Sequence, residues 1–346
     1  MLRESNMQTL TWADKTMSVL RERQLEACES RLASLPSFGL FTGCTDENAE
    51  KLYAVSYDAQ EHPVRARLNT AKSLRAQVLA ALPAEAALLS VEEHLLLDRL
   101  LVLGGSCELM DWEETGAAES LVRRLWCTLS REGERIFVHL PRELLTPLTL
   151  ITSSPAHEEL RDKLCRYDAT IRGLLYIGGL LHYQEPLQRL MNDVLRDTYA
   201  CSATLAMRYL RCSYDYTYDR HGDMLLLHPG LAEPERLLGS FRPSSRACDL
   251  DEATMLGAVA GIFPGERPLF EQMYGLLYGV VRPEITEDQA VEDLRMLAKQ
   301  GVSLQEMNEV LATLLTVHPT ADMLAGVKQI YQQTPRWGSL SAAMVQ

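Results

Sequence analysis

The sequence contains few aromatic residues and no long hydrophobic run. Phe, Trp and Tyr together make up 7% of the 346 residues, so a large core has to come mostly from aliphatic side chains. Cores rich in Leu and Ala suit packed helices better than sheet sandwiches, which favour β-branched and aromatic residues. No run of about 18 uncharged apolar residues exists, so the sequence predicts no membrane-spanning helix.

Paired cysteine motifs are missing as well. The eight cysteines are scattered, and no two are separated by only two residues, which argues against a structural zinc site. A chain of this length does not need disulfides for stability, and its first fifteen residues contain no apolar leader. The sequence therefore predicts a reducing, cytoplasmic setting.

Local motifs of the common enzyme classes are also absent. The chain contains no His-Glu-x-x-His, no phosphate-binding or dinucleotide-binding glycine pattern and no Gly-x-Ser-x-Gly. We therefore predict no cofactor and no dedicated metal site, and the sequence favours a non-enzymatic function. The formal net charge of −13 repels phosphate backbones, so nucleic acid is not expected as a general partner.

The sequence is instead rich in signals that start helices. In a capping box, a Ser, Thr or Asp accepts from a backbone N–H of the first turn, and a Glu or Gln three residues later accepts from the cap's own N–H. Four such boxes stand directly before amphipathic runs: Ser90 with Glu93, Asp249 with Glu252, Thr286 with Gln289, and Ser303 with Glu306. The pattern predicts a mainly α, multi-helical fold.

Two segments are predicted to form strands. Residues 212–229 should form a small central β-hairpin, since Tyr214, Tyr216 and Tyr218 alternate with polar residues and would share one face. Residues 136–140 form a second, shorter β-type run. Because a hairpin alone is only marginally stable, we expect the hairpin either to pack on the helices or to join this segment.

The order of these elements predicts three structural units. They are an N-terminal helical unit (1–133), a central helical unit with the hairpin (134–245) and a C-terminal array of short helices (246–346). The helix that follows Ser90 is apolar on nearly all sides over residues 95–103. Helices of this kind are normally buried, so we expect it in the middle of the first unit.

The densest polar cluster lies at the tip of the predicted hairpin. Asp215, Asp219, His221 and Asp223 are carboxylates and an imidazole, the groups that hold a divalent ion or transfer protons. They support the hypothesis of a metal-assisted enzyme with its site around residues 215–223. The same residue types also favour a tight turn, so ordinary turn chemistry is the alternative.

Two segments bear on nucleic acid. The predicted basic helix at 63–84 contains no Asp or Glu, and its basic residues are Arg65, Arg67, Lys72 and Arg75. Such a helix would suit an anionic partner. Residues 296–310 resemble a helix-turn-helix corner, but the second helix exposes Glu306 rather than basic residues. The alternatives are charge complementarity within the chain and a generic helical corner.

The leading prediction is accordingly a cytosolic helical protein-interaction or scaffold protein. We expect it to present apolar faces to a protein partner or to a second copy of itself. The metal-assisted enzyme is the second hypothesis, and nucleic-acid binding is the third. No membrane association is expected.

Overall fold

The computed structural model describes residues 11–61, 70–110, 113–196, 202–238, 257–258 and 266–337. Helices dominate these residues, and two small antiparallel sheets of three strands each accompany them. The mainly α fold with small β elements is therefore confirmed.

The described residues form helices and strands with the following bounds. In chain order they are α1 (Met17–Ser34), α2 (Ala49–Val55), α3 (Tyr57–Glu61), α4 (Ala71–Ala86), α5 (Val91–Val102), α6 (Glu113–Arg123), α7 (Arg142–Thr152), α8 (Pro155–Gly178), α9 (Gln184–Arg189), α10 (Ala203–Ser213), α11 (Pro234–Leu238), α12 (Arg267–Leu277), α13 (Glu287–Lys299), α14 (Leu304–Leu314) and α15 (Ala321–Gln333). The strands are β1 (Ser106–Glu108), β2 (Thr128–Glu132), β3 (Arg135–His139), β4 (Leu180–His182), β5 (Asp215–Tyr218) and β6 (Met224–Leu227). A 3₁₀ turn at Trp12–Lys15 precedes α1, and a π-helical turn at Leu190–Val194 follows α9.

Contacts group the chain into two compact units, each assembled from separate stretches of sequence. The terminal unit comprises Met1–Arg23, Ala169–Tyr183 and Asp215–Gln346, and the middle unit comprises Gln24–Asp168 and Gln184–Tyr214. Residue 133, a predicted boundary, lies in the two-residue turn between β2 and β3, and residue 245 lies outside the described residues. Compact grouping does not decide which segments fold independently, so the three-unit division stays a prediction.

The core of the middle unit joins helices to the sheet ordered β1-β3-β2. Val138 on the central strand β3 stands opposite Cys107 on β1 and Leu129 on β2. Val138 and Cys107 are buried together with Leu97 of α5 and Leu121 of α6 in one apolar cluster. The sheet is thus covered by the faces of α5 and α6 that carry aliphatic side chains.

Helix α5 begins and ends as the sequence predicts, but its burial differs. The Ser90 Oγ accepts from the Glu93 N–H, and the Glu93 carboxylate accepts from the Ser90 N–H. The helix stops before Gly104, whose φ of 75° is a left-handed conformation that favours glycine. The expectation that α5 lies in the middle of its unit holds for one face only, because Leu97 and Leu100 are buried whereas Leu95 and Val102 are exposed.

The terminal unit contains the predicted hairpin. β5 and β6 pair antiparallel, with Tyr216 opposite Leu226 and Tyr218 opposite Met224, so this prediction is confirmed. Tyr214 lies outside β5: it is the buried C-cap residue of α10, whereas Tyr216 and Tyr218 are exposed.

The predicted strand at 136–140 is present as β3, and its partners are β1 and β2. The hairpin does not join it. Its strand β6 instead pairs with β4, so that the second sheet has the order β4-β6-β5. The third strand that each small sheet needs for stability comes from a nearby short segment that the sequence did not reveal.

The helices α12 to α15 form the second part of the terminal unit. Leu294, Met307 and Val327 are fully buried in their shared cluster. The capping boxes at Thr286 and Ser303 are formed, whereas the one predicted at Asp249 lies outside the described residues.

No single helix of the described residues is long and apolar enough to cross a membrane. α4 and α5 meet the length and composition requirement only as a pair, and they are bent by 118° relative to each other.

Candidate functional site

The predicted cluster at the hairpin tip forms a turn. The Asp219 Oδ1 accepts from the backbone N–H of His221 at 2.8 Å and of Asp223 at 2.9 Å. The hydrogen bond from the Asp223 backbone, followed by that from His221, lowers the pKa of Asp219. This carboxylate closes the connection between β5 and β6, which is the role that Asp commonly has in turns.

The other three members of the cluster each lie in different surroundings. Asp215 is an exposed residue of β5 opposite Leu227, and His221 is exposed beside Arg220. The Asp223 carboxylate lies 3.7 Å from the His182 imidazole. Within the residues that the structure describes, no three His, Cys, Asp or Glu side chains are gathered to hold a metal ion. The enzyme hypothesis at this hairpin stays a prediction.

The predicted basic face is described only in part. Arg65 and Arg67 lie outside the described residues, and Lys72 is exposed on α4. Arg75 donates from Nε to the Leu40 carbonyl at 2.8 Å and from a terminal nitrogen to the Cys44 carbonyl at 3.3 Å. Arg75 therefore fixes α4 to the preceding loop rather than offering its full charge to solvent.

The predicted helix-turn-helix corner is formed by α13 and α14. Gly301, with a φ of 73°, turns the chain between them, and Ser303 caps α14. The first turn of α14 carries the half-buried Glu306, and the exposed Gln305 donates to Glu309. An acidic first turn opposes contact with phosphates, so the geometry favours a structural corner.

The middle unit contains a buried chain of alternating charges. Arg124 donates to Glu93 at 2.9 Å and lies 3.5 Å from Glu85. Arg208 donates to Glu85 and to Asp58, each at 3.0 Å. Burial disfavours the charge of Arg124, yet the carboxylates of Glu93 and Glu85 outweigh it and raise the pKa of this guanidinium. The chain of charges links α3, α4, α5 and α10 with the residue that follows α6.

A second set of polar groups lies against Glu93. Tyr57 donates to the Ser120 hydroxyl at 3.0 Å, Ser120 donates to Glu93, and the Cys212 thiol donates to Tyr57 at 3.2 Å. Burial raises the pKa of both Cys212 and Tyr57. Because the thiolate is the nucleophile, a thiol kept protonated in this way suits a structural role rather than covalent catalysis.

The terminal unit has its own buried ionic cluster around Glu266. This carboxylate accepts from Arg295 at 2.9 Å, from the Tyr176 hydroxyl at 2.7 Å and from Lys299 at 3.3 Å. The Lys299 ammonium also lies 4.1 Å from the centre of the Tyr176 ring, within the range of a cation–π contact. The side chains of Glu266, Arg295 and Lys299 are almost completely buried.

Burial changes proton binding in this cluster. It raises the pKa of Glu292, which pairs with Arg295 at 3.1 Å, to about 7. It also lowers the pKa of Lys299, and it lowers that of His228 to about 3. Perturbed groups of this kind are common at catalytic sites and also in structural ion networks.

The terminal unit also contains a small surface recess. A recess of about 180 Å³ that is open to solvent is lined by residues including Trp12, Glu233 and Gln300. Ligand sites typically enclose roughly 300–1,000 Å³, so this recess is small. Its lining contains none of Glu266, Glu292, Arg295 or Lys299. The pairing of these charged groups with one another is typical of a structural ion network.

The exposed face of α5 is the strongest candidate for an interaction surface. Leu95 is 60% exposed and Val102 is 85% exposed, and their spacing of seven residues places them two turns apart on one face. Leu103 follows directly and is also exposed. The exposed Met110 donates its backbone N–H to Glu114, which pairs with Arg99 on the same face of α5. We call Leu95, Val102, Leu103 and Met110 the apolar stripe.

Ion pairs border this stripe. Asp98 lies 2.9 Å from Arg161, and Arg99 donates to Glu114 at 2.8 Å. Each pair is neutral as a whole, so both borders combine one positive and one negative group. The stripe is therefore an apolar surface with a polar, charge-balanced rim, as in many protein interfaces.

Sequence reasoning missed these features for identifiable reasons. The partners of Glu93 and Glu266 are distant in the sequence, so no local pattern indicates them. The stripe did have a signal in the seven-residue spacing of Leu95 and Val102, but the apolar residues on the opposite face of α5 concealed it.

No family model matches the chain, and no curated protein or solved structure matches it either. Function is therefore inferred from the geometry of the chain itself.

Proposed function

We propose that this chain is a helical interaction protein that self-associates through the apolar stripe of its middle unit. The observation that carries the proposal is the exposure of Leu95 and Val102 on a helix whose opposite face is core. Exposed apolar surface is unfavourable in water at roughly 25 cal/mol per Å². Large apolar side chains that are exposed together on one face commonly mark a protein-binding site.

The rim of the stripe favours a second copy as its occupant. A strongly basic partner would gain little there, because Asp98 is already neutralised by Arg161, and Glu114 by Arg99. A surface with both signs is best matched by another surface with both signs, which the same stripe on a second copy supplies. In a dimer with two-fold symmetry, one patch serves both partners.

The net charge of −13 gives self-association a distinctive salt dependence. Two copies repel each other at long range, while the apolar contact itself is insensitive to salt screening. At about 0.15 M ionic strength the Debye length is about 8 Å, so most of the long-range repulsion is removed. Association should therefore strengthen as salt is added, whereas binding of a basic partner would weaken.

Sedimentation velocity over a range of protein and salt concentrations tests the proposal. The fraction of wild-type chain that is dimeric should rise with the protein concentration and with the salt concentration. The double variant Leu95→Glu with Val102→Glu should remain monomeric, because each dimer would bury four carboxylates against apolar side chains. Both positions are exposed, so its melting temperature should stay close to that of the wild type.

Val317→Glu is the matched control, since Val317 is also an exposed apolar residue but lies in the terminal unit. It should dimerise like the wild type. A wild-type chain that stays monomeric throughout would overturn the proposal, and so would a double variant that still dimerises. Binding to neutral lipid vesicles that the double variant loses would assign the stripe to a membrane surface instead.

A further inference from the structure

Two histidines of the middle unit lie in contact without hydrogen-bond partners. His94 on α5 and His157 on α8 are only 3% and 2% exposed. Their ring centres are 5.1 Å apart, and the ring planes meet at 64°. None of the four ring nitrogens has a hydrogen-bond partner.

This pair is unusual because buried polar groups in proteins are nearly always hydrogen-bonded. Each neutral imidazole carries one donor and one acceptor nitrogen, so the pair leaves four hydrogen-bonding positions unused. Burial lowers the pKa of His94 to about 3 and also lowers that of His157. Both rings are therefore neutral near pH 7, which is the form of histidine that binds metal ions.

The separation of the rings matches two ligands of one tetrahedral ion. Zinc–nitrogen bonds are about 2.0–2.1 Å long, and a ring nitrogen lies ~1.1 Å from its ring centre. Two imidazoles at a tetrahedral angle around one ion therefore have ring centres about 5.1 Å apart. The observed distance between His94 and His157 equals this value.

A third ligand is available from the same helix. Asp98 follows His94 by one turn of α5, and its carboxylate now pairs with Arg161, which follows His157 by one turn of α8. Both members of this ion pair are substantially exposed, so it contributes little stability and is readily exchanged. In the described part of the chain no three metal-binding side chains are already gathered, so Asp98 has to move to complete the set.

The charges that face the histidines do not prevent cation binding. Arg161 and Arg124 both lower the pKa of His94. Arg124, however, is paired with Glu93, and Arg161 would turn towards solvent once Asp98 leaves it. Little uncompensated positive charge therefore remains beside the rings.

We propose that a divalent transition-metal ion of the zinc class binds between α5 and α8, held by His94 and His157, with Asp98 as the third ligand and water as the fourth. The ring nitrogens of these two histidines make no hydrogen bond within the fold. None of the site's ligands belongs to the apolar stripe itself, but Asp98 belongs to an ion pair at the rim of the stripe, so metal binding would change that rim.

Titration of the full, chelator-treated chain with Zn²⁺ by calorimetry, and with Co²⁺ by visible absorption, tests this site. We expect one ion per chain and the intense absorption of tetrahedral cobalt. His94→Gln and His157→Gln should each abolish this signal, and Asp98→Asn should weaken binding at least ~10-fold. His221→Gln, which changes an exposed histidine of the hairpin, should bind like the wild type.

Circular dichroism establishes that each variant is folded, and Asp98→Asn keeps the test decisive if a buried substitution prevents folding. Zn²⁺ should raise the melting temperature of the wild type by mass action and raise that of Asp98→Asn less. Absence of stoichiometric binding at micromolar Zn²⁺ would overturn the site. Tetrahedral cobalt absorption that persists when both histidines are replaced would do the same.

Discussion

Helices α5 and α13 reverse the usual relation between composition and burial. α5 is largely aliphatic, yet Leu95 and Val102 are exposed. α13 is rich in charged residues, yet Asp293 and Lys299 are each only 1% exposed. Composition alone therefore does not determine which helix lies inside a unit of this protein.

The difference depends on what each helix finds next to it. In α13, Asp293 accepts from both the backbone and the hydroxyl of Ser18, and Lys299 donates to Glu266. A buried charge is tolerated when it is paired and hydrogen-bonded, so these contacts permit burial. Over the stripe of α5, the described chain places no covering element, which is why we assign that face to a partner.

Removing a buried counter-ion should have the largest effect. Glu266→Gln removes the carboxylate that pairs with both Lys299 and Arg295. We expect the free energy of unfolding to fall by about 3–5 kcal/mol, the usual cost of breaking a buried ion pair. Urea denaturation measures the change.

Glu271→Gln provides the control, since Glu271 pairs with Arg267 on the surface. Its effect should stay below about 1 kcal/mol. Equal effects of the two substitutions would show that the charges near α13 are not buried as described.

The two faces of α5 should respond differently to truncation. Leu97→Ala removes a fully buried side chain and should lower the free energy of unfolding by about 2–5 kcal/mol. Leu95→Ala changes an exposed side chain and should stay within about 0.5 kcal/mol when measured on the monomer at high dilution. A large loss at Leu95 would mean that this face is covered within the chain.

Acidification should weaken the middle unit more than the terminal unit. Burial lowers the pKa of His94 and of His228 to about 3, against an ordinary value of 6.5. Between these pH values the unfolded chain binds more protons than the folded chain, so stability decreases as the pH falls. The loss is up to about 1.4 kcal/mol per pH unit for each histidine. In the terminal unit, Glu292 acts in the opposite sense.

Because Glu292 has a folded pKa of about 7 against an ordinary 4.5, the folded chain holds its proton between these values, and the stability from this group rises as the pH falls. It therefore offsets His228. Hydrogen-exchange mass spectrometry at about pH 7 and about pH 5 compares peptides of α5 and α13. We expect α5 to lose more protection, and His94→Phe to reduce that loss.

Smaller effects than at the buried charges are expected at the helix caps. Ser303→Ala removes an exposed cap of α14 and should cost about 0.5–1 kcal/mol. Ser90→Ala removes a buried cap of α5 and should cost about 2 kcal/mol, the upper end of the usual range, because the Glu93 N–H is then buried without its acceptor. The melting temperature, measured for both variants under the same conditions, should fall more for Ser90→Ala than for Ser303→Ala.

The capping boxes and the hairpin could be predicted because their signals are local. Ser90 with Glu93 and Ser303 with Glu306 are three residues apart, and both boxes are formed. β5 and β6 are joined by a short turn closed by Asp219. β2 was missed although Gly133 joins it to β3, because its polar residues lack the apolar alternation of a half-buried strand.

Sequence by itself determined where the helices after Ser90, Thr286 and Ser303 start, where α5 stops and which residues turn the hairpin, since these features depend on groups within a few residues of one another. Only the tertiary structure decided that Lys299 is buried, that Leu95 is exposed and that His94 meets His157. Each of these depends on a neighbour more than 30 residues away, or on the lack of one, and the energy of burial is set by that neighbour rather than by the residue itself.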